Sequence, residues 1–519
     1  MDFFDQMKSI AINDTQYNMS VTENGAIGYS TTGKKLLDIN FTVASLRSAS
    51  NQVIRDKFID AYFEDPRLAI LWLFYVRDVR EGLGERRLFR VVFPSILESI
   101  ERNTSIGTVN ELVNLVSEYG RFDDLYCIVE SAPKYINIVA EIFKKQLNLD
   151  LVNMSEGKSI SLLAKWLKSE NASSKESKML AKQTMKMLSM NASEYRKTLS
   201  KLRKYIDVIE VKMSNKQWAE IDYEKVPSRA SLIYKNAFLK NDEERYTEFI
   251  SQVNKGEKKI NASTLYPHDI VHNYTNGGYY QVGRVDDSLE ALWKNLPNTL
   301  EGKDSSNTLV VADGSGSMTI RVGNTNISAL DVANALAIYF AERATGPYKN
   351  KYITFSSKPQ FVDFTNCKTL KDKINLALKH NEVADTNIEK VFDLILATAV
   401  KNNLKQDEIV HNIVIISDME FNCCARCNNY SIVNESLFQT IAKKYEEKGY
   451  KLPRLVFWNV NSRTNTIPVT QNDLGVALVS GFSTNIVKMV LDNEIDPYKS
   501  LVKVLESDRY KPINDVLTS

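Results

Sequence analysis

The sequence predicts a two-part protein in which an all-α domain precedes an α/β domain. From about 40 to 285, apolar residues return every three or four positions, as in NQVIRDKFIDAYFED (51–65), and strand-like alternation is scarce. From 308 onward, short runs rich in Val and Ile alternate with helical stretches, which is typical of a mostly parallel sheet covered on both faces. The chain has 519 residues, too many for one ordinary core, so several domains are expected.

The predicted domain boundaries follow this change of pattern. Residues 1–40 form an N-terminal extension and 41–295 the helical domain, in which breaks such as GLG separate helices as in antiparallel pairs. A stack of irregular helical repeats is therefore expected, although no repeated consensus is present. The polar stretch LPNTLEGKDSSN predicts a linker at 296–307, and 308–519 form the α/β domain.

Five strands are predicted in the second domain, with helices between them. In such folds the functional groups gather where the strands end, at their carboxyl edge. The predicted strands are 308–313, 351–355, 412–418, 454–460 and 475–480, and the predicted helices are 329–344, 386–400 and 434–449.

Composition narrows the class of protein. Apolar residues make up 43% of the chain and charged residues 25%, as in ordinary globular proteins. No apolar run reaches the roughly 18 to 20 residues that cross a bilayer, and the start lacks a signal-peptide pattern. We expect a cytoplasmic protein that does not contact membranes.

The five cysteines fit reduced thiols better than a disulfide framework. Cys423, Cys424 and Cys427 crowd together near the end of the third predicted strand. A zinc or redox site remains open for them, although no fourth Cys or His is close in sequence. The alternative is ordinary thiols in a loop.

Oxygen-bearing side chains cluster at the predicted carboxyl edge of the sheet. Asp313 ends the first strand, and Ser315 and Ser317 follow at alternate positions in a glycine-rich turn. Asp418 ends a later strand, and Thr386 opens the helix predicted at 386–400. Carboxylates and hydroxyls are hard ligands that suit Mg²⁺. The sequence therefore predicts a site for Mg²⁺ or another divalent cation.

Basic residues concentrate in the helical part. Residues 161–260 contain 21 Lys and Arg against 13 Asp and Glu, a local excess of +8, whereas the whole chain carries only +2. Such a surface attracts phosphates, and single-stranded RNA is held by cations beside aromatic rings. The alternatives are solvated helix faces and ion pairs between helices. The candidate RNA-binding residues are Arg196, Lys197, Lys201, Arg203, Lys204, Arg86 and Arg87.

Several motifs resemble known families. The Asp313-Gly-Ser315-Gly-Ser317 turn, with Thr386 and Asp418, resembles the metal-ion-dependent adhesion site of von Willebrand factor A domains. Longer stretches, including RDVREGLGERRLF (77–89) and YGRFDDL (119–125), are similar to a poorly characterised family of phages, bacteria, fungi and plants that resembles Ro-type (TROVE) ribonucleoproteins. The resemblance implies HEAT-like helical repeats closed by a Rossmann-like A domain, with small structured or single-stranded RNA as partner.

The expected function is non-enzymatic. A phosphotransferase would need a second carboxylate at the position of Ser315, and the turn does not have the G-x-S-x-G spacing of a serine hydrolase. We expect an RNA-binding protein of a ribonucleoprotein, with a Mg²⁺ site for an acidic protein partner. The alternative is a protein-interaction or assembly scaffold, including a phage- or virion-associated one, that uses the metal site without RNA.

Overall fold

The described part of the chain divides into two compact units that interleave in sequence. The structure, a computed structural model, describes residues 18–276, 278, 282–382, 384–422, 437–468, 476–491, 494 and 496–518. We call the first unit, Met1–Leu68 with Leu265–Leu505, the α/β unit, and the second, Ala69–Thr264 with Glu506–Ser519, the helical unit. The predicted boundaries, after residue 40 and at the linker 296–307, instead divide the chain into consecutive segments.

Helices form most of the secondary structure. In chain order they are α1 (Lys35–Phe41), α2 (Val43–Leu46), α3 (Asn51–Glu64), α4 (Pro66–Arg77), α5 (Arg86–Asn103), α6 (Ile106–Tyr119), α7 (Tyr126–Ser131), α8 (Ile136–Ser155), α9 (Leu163–Trp166), α10 (Lys175–Leu188), α11 (Ala192–Tyr205), α12 (Ile209–Ser214), α13 (Ser228–Asn241), α14 (Glu243–Lys255), α15 (Pro267–Thr275), α16 (Asp287–Lys294), α17 (Ala329–Arg343), α18 (Leu370–His380), α19 (Glu389–Lys401), α20 (Leu437–Glu446), α21 (Val487–Val490), α22 (Pro497–Leu505) and α23 (Lys511–Thr518).

The strands form a hairpin and a six-stranded sheet. They are β1 (Met19–Val21), β2 (Ile27–Tyr29), β3 (Thr308–Asp313), β4 (Lys351–Phe355), β5 (Pro359–Asp363), β6 (Asn412–Ser417), β7 (Arg454–Asn459) and β8 (Val476–Ser480). The large sheet has the order β5-β4-β3-β6-β7-β8, and every neighbouring pair is parallel except β4 with β5. The predicted α/β fold with a mostly parallel sheet is confirmed.

Strand β5 was not predicted from the sequence. This strand lies at the edge of the sheet, where Val362 is buried but Phe361 remains 64% exposed. The central strands β3 and β6 are buried along almost their whole length, so they read as continuous apolar runs. An edge strand that is half exposed gives a weaker signal of this kind.

Segments from before and after the linker region complete the α/β unit. Helix α17 is buried along most of its length and packs on β3, β4 and β6. Helix α1 packs on β8, and the side-chain amide of Asn459 in β7 donates to the Phe41 carbonyl at 2.8 Å. These contacts explain why residues before 69 belong to this unit rather than to a separate helical domain.

The segment from residue 506 onward packs within the helical unit. Its aromatic core contains Phe74, Phe89 and Tyr119, and the ring of Tyr510 stacks on Tyr119 with centroids 5.7 Å apart. Arg509 Nε donates to Asp78 Oδ2 at 2.8 Å. The segment from 506 onward thus packs with helices that lie some 400 residues earlier in the chain.

The described helices also bear on the membrane prediction. None of them, within the ranges given above, combines the length and the apolar character that spanning a bilayer requires.

Candidate metal centre

The first half of the site is the turn that follows β3. Asp313 is the last residue of β3, and its Oδ1 accepts a hydrogen bond from the Ser315 backbone N–H at 2.9 Å. The Ser315 and Ser317 hydroxyl oxygens lie 3.1 Å apart. Gly314 is required here because an added Cβ would stand 2.7 Å from Thr354 Oγ1. The turn therefore directs its carboxylate and both hydroxyls to one place.

The second half comes from β6, the parallel neighbour of β3. The Ser417 hydroxyl at the end of β6 donates to Asp313 Oδ2 at 2.5 Å, which joins the two strand ends. Asp418 follows, and its carboxylate is hydrogen bonded by Ser317. Four of the five predicted ligands, Asp313, Ser315, Ser317 and Asp418, are thus brought together by contacts.

Thr386 lies next to this cluster without a described contact to it. The Gly316 N–H donates to the Ala384 carbonyl at 3.1 Å, so the segment before α19 runs beside the turn. Thr386 is buried, and its hydroxyl accepts a hydrogen bond from the Asn24 amide at 3.4 Å. Helix α19 begins at Glu389, three residues later than predicted.

The two carboxylates are almost completely buried and electrostatically strained. Asp313 is 1% exposed and Asp418 0%. Burial, together with the negative charge of Asp418, raises the pKa of Asp313 to about 7. Burial also raises the pKa of Asp418, although Arg463 opposes that effect. Two ionised carboxylates in such a place are destabilised unless a proton or a cation compensates them.

Arg463, which was not predicted as a site residue, compensates part of the negative charge. Its Nη1 donates to Asp418 Oδ2 at 2.8 Å, while its Nη2 lies 2.7 Å from Glu23 Oε2. Arg463 follows the end of β7, so its position after a strand was a usable signal. Glu23 lies at the tip of the β1–β2 hairpin, about 290 residues before Asp313, and nothing local points to it.

Glu420 holds this hairpin over the carboxyl edge of the sheet. Its side chain is fully buried and accepts the backbone N–H groups of Glu23 at 2.9 Å and Arg463 at 2.7 Å. The Asn24 amide donates to the Glu420 carbonyl at 2.6 Å. The hairpin is therefore part of the site and covers it.

The donor set fits a hard divalent cation. It offers two carboxylates and at least two hydroxyls, and the remaining positions of Mg²⁺ are ordinarily filled by water. Among the described residues no group of three or more His, Cys, Asp or Glu side chains is placed to hold a metal. A soft-metal or zinc-type site is thus not found in that part of the chain, and Cys423, Cys424 and Cys427 lie outside the described residues.

The structure separates the candidate RNA-binding residues of α11 into two groups. The Arg203 guanidinium donates to the Ala164 and Leu167 carbonyls at 2.8 and 2.7 Å, so it ties α11 to the chain around α9. Arg196 pairs with Glu170 at 3.1 Å. Three exposed lysines form no ion pair or hydrogen bond within the described ranges: Lys197, Lys201 and Lys204.

The two remaining candidates, Arg86 and Arg87, begin α5. Both side chains are exposed. They lie in the helical unit, as does α11, whereas the candidate metal centre lies in the α/β unit.

The fold and site define a two-unit protein with paired buried carboxylates at the carboxyl edge of an α/β sheet. The chain is 32% identical to the uncharacterized protein L728 of Acanthamoeba polyphaga mimivirus over 96% of its own length and 89% of the relative's. It belongs to the family of that protein. Residues 129–311 match the model "Domain of unknown function (DUF2828)", and residues 307–513 match "Domain of unknown function (DUF7788)".

These matches correct the family resemblance drawn from the motifs. The assignment to Ro-type ribonucleoproteins and von Willebrand factor A domains is wrong, because the two domains of unknown function match and neither of those families does. The DUF2828 match also begins at 129 and ends at 311, which is not where a Ro-type layout would place a domain. A short Asp-x-Ser-x-Ser turn after a strand is too small a motif to define a family.

Proposed function

We propose that the chain is a non-enzymatic binding protein whose α/β unit holds Mg²⁺ or another divalent cation. Asp313, Ser315, Ser317 and Asp418 would hold the ion, with Thr386 contributing through water. A bound cation supplies a coordination position for a carboxylate of an acidic protein partner. The observation that supports this is the continuous set of contacts from Asp313 to Asp418, in which both carboxylates are buried and only Asp418 is paired with the Arg463 guanidinium.

The hairpin suggests how a partner reaches a covered site. The Glu23 side chain is 48% exposed, so its ion pair with Arg463 is worth about 1 kcal/mol or less. A partner's carboxylate would displace Glu23 at low cost. The buried hydrogen bonds of Glu420 to the Glu23 and Arg463 backbone would keep the tip of the hairpin in place while the Glu23 side chain is displaced.

Direct metal binding tests the first part of this proposal. When Mn²⁺ is added to the full chain, the electron paramagnetic resonance signal of free Mn²⁺ should decrease by one bound ion per chain. Added Mg²⁺ should compete for the site and restore the signal. Asp418→Asn should weaken Mn²⁺ binding more than about 100-fold, because it removes a ligand rather than a supporting residue. Asp407→Asn is the matched control, since Asp407 is exposed and precedes β6 at the opposite edge. Unchanged binding by Asp418→Asn would refute the metal site.

Partner capture tests the second part. Proteins retained on the immobilised chain in Mg²⁺ should elute with EDTA and should not be retained by Asp418→Asn. The same proteins retained equally in Mg²⁺ and EDTA would contradict a cation-dependent interaction.

RNA binding is the second candidate function, and one observation favours it. Lys197, Lys201 and Lys204 follow at i, i+4 and i+7 on α11, so their ammonium groups lie along one exposed helix face. Three adjacent cations without acidic partners, within the described residues, would neutralise successive phosphates. A repeat-type stack of the helices and a cytoplasmic location belong to the same proposal.

Reversing the charge of the three lysines tests whether this helix face binds RNA. Replacing Lys197, Lys201 and Lys204 by Glu should weaken binding of single-stranded RNA and reduce the slope of log K against log salt by about 2, since each phosphate contact adds about 0.7. The control replaces Lys175, Lys178 and Lys182 of α10, which changes the net charge equally on another helix. Equal effects of the two triple variants would assign the binding to net charge alone.

A further inference from the structure

Four arginines and two aspartates meet in the helical unit. Arg77 ends α4, and Arg86 and Arg90 lie in the first two turns of α5. Arg121 precedes a short 3-10 turn, Phe122–Leu125, that carries Asp123 and Asp124. We call these six residues the arginine cluster.

Three of the arginines pair with the two carboxylates. Asp124 Oδ2 accepts from Arg77 Nη2 at 2.7 Å, and Asp124 Oδ1 accepts from Arg90 Nε at 2.6 Å. Asp123 lies 2.8 Å from Arg90 Nη2 and 2.9 Å from Arg121 Nε. Asp124 is fully buried and Asp123 nearly so. The carboxylates of the cluster are therefore already saturated by Arg77, Arg90 and Arg121.

Arg86 is the fourth arginine, and it has no carboxylate left. It lies one helical turn before Arg90 on the same face of α5. Its side chain is exposed and makes no hydrogen bond or ion pair with any residue in the described ranges. Partial desolvation by the surrounding protein, together with the like charges of Arg121 and Arg90, lowers the pKa of Arg86 to about 10.

The cluster therefore carries an excess of two positive charges. Four guanidinium groups face two carboxylates, and the flanking Glu85 and Arg87 carry opposite formal charges. Helix α5 adds to this field, because its first turn contains no acidic residue and Glu85 provides no side-chain cap. Its first N–H groups thus also favour an anion.

A phosphate group is the ligand that matches these features. It carries up to two negative charges and accepts the paired N–H groups of a guanidinium, whereas a single carboxylate would neutralise only half of the excess. Trp166 lies beside the cluster, with the Arg121 guanidinium carbon 3.9 Å from its ring centroid. This stacking keeps the Arg121 plane in a fixed orientation.

We propose that Arg86, together with Arg121 and the N-terminus of α5, binds a phosphate group. The phosphate belongs either to a free phosphate or small phosphomonoester, or to the backbone of a nucleic acid. The site does not depend on the candidate metal centre, which lies in the other unit, or on the lysine face of α11.

Phosphate titration of the full chain in EDTA, at constant ionic strength set by chloride, tests the proposal. Calorimetry and thermal unfolding should both report phosphate binding by the wild type. Arg86→Gln should weaken the affinity about tenfold or more, because it removes a charge-assisted hydrogen-bond donor. Arg102→Gln is the control, since it removes the same charge from the far end of α5, where Arg102 pairs with exposed Glu98.

Arg86→Gln should fold normally, because Arg86 forms no described ion pair and its removal relieves repulsion among the arginines. Its thermal unfolding without phosphate should equal or exceed that of the wild type. Adenosine monophosphate and a single-stranded RNA oligonucleotide then identify the source: a further Arg86-dependent gain with RNA assigns a nucleic-acid backbone, and its absence assigns a small phosphate. Phosphate affinity of Arg86→Gln within twofold of the wild type would overturn the proposal.

Discussion

Asp313→Asn should abolish the stabilisation of the protein by Mg²⁺ without unfolding it. In the wild type, Mg²⁺ at 100 times its dissociation constant should add about 2.7 kcal/mol to the free energy of unfolding of the α/β unit. In the variant, Mg²⁺ and EDTA should give the same unfolding curve. In EDTA the variant should lose under about 1 kcal/mol, because the amide removes one of two buried like charges while keeping a hydrogen-bond acceptor.

Thermal and urea unfolding in Mg²⁺ and in EDTA measure both quantities. Asp407→Asn again serves as control and should respond to Mg²⁺ as the wild type does. A large loss of stability by Asp313→Asn in EDTA would assign Asp313 a structural role. A normal response of the variant to Mg²⁺ would remove Asp313 from the metal site.

Asp124→Asn should strongly destabilise the helical unit. Asp124 is fully buried and receives Arg77, Arg90 and the Arg121 backbone N–H, the last at 2.8 Å. Removing the charge leaves Arg77, 4% exposed, without a counterion in a desolvated place. Breaking one partner of a buried ion pair costs about 3–5 kcal/mol, so we expect a loss of that size.

Urea unfolding followed by far-ultraviolet circular dichroism measures this loss. Glu98→Gln is the comparison, because its pair with Arg102 is exposed on both sides and is worth under about 0.5 kcal/mol. Gly120 shows how closely the structure is built around the buried pair, since an added Cβ would stand 2.5 Å from Asp124 Oδ2. Equal effects of Asp124→Asn and Glu98→Gln would mean that the arginine cluster does not stabilise the fold.

The sheet was predictable because its strands are buried on both faces. The runs from 309 to 312 and from 413 to 416 are apolar throughout, and a polar residue follows each at the carboxyl edge. This local pattern also placed Asp313 and Asp418 at the carboxyl edge, and the structure brings them together because β3 and β6 are neighbours. Strand β5 was not predictable in this way, because an exposed edge strand needs few apolar residues.

The packing of the β1–β2 hairpin over the candidate metal centre was not predictable from the sequence. Glu23 and Arg463 are 440 residues apart, and their 2.7 Å contact depends on how the hairpin packs on the edge of the sheet. The sequence likewise does not show which arginines are paired with acidic or carbonyl groups. The sequence does not distinguish Arg203 from Arg86. In the structure, Arg203 donates to internal carbonyls, whereas Arg86 lies beside other arginines and carboxylates that are already paired.

The family resemblance failed for a related reason. A turn of five residues reports the local chemistry of a strand end, and many unrelated folds have such ends. Membership of a family was decided by similarity along 96% of the chain, not by the turn.

The sequence by itself determined the periodicity of each segment, and with it the helical and α/β parts and the oxygen-rich strand ends, because these depend on neighbours a few residues apart. Only the tertiary structure decided which segments join which unit: α1 packs on β8, and Tyr510 packs on Tyr119. It also decided which charges are paired. Both outcomes depend on burial between segments that are hundreds of residues apart, and no local pattern encodes that distance.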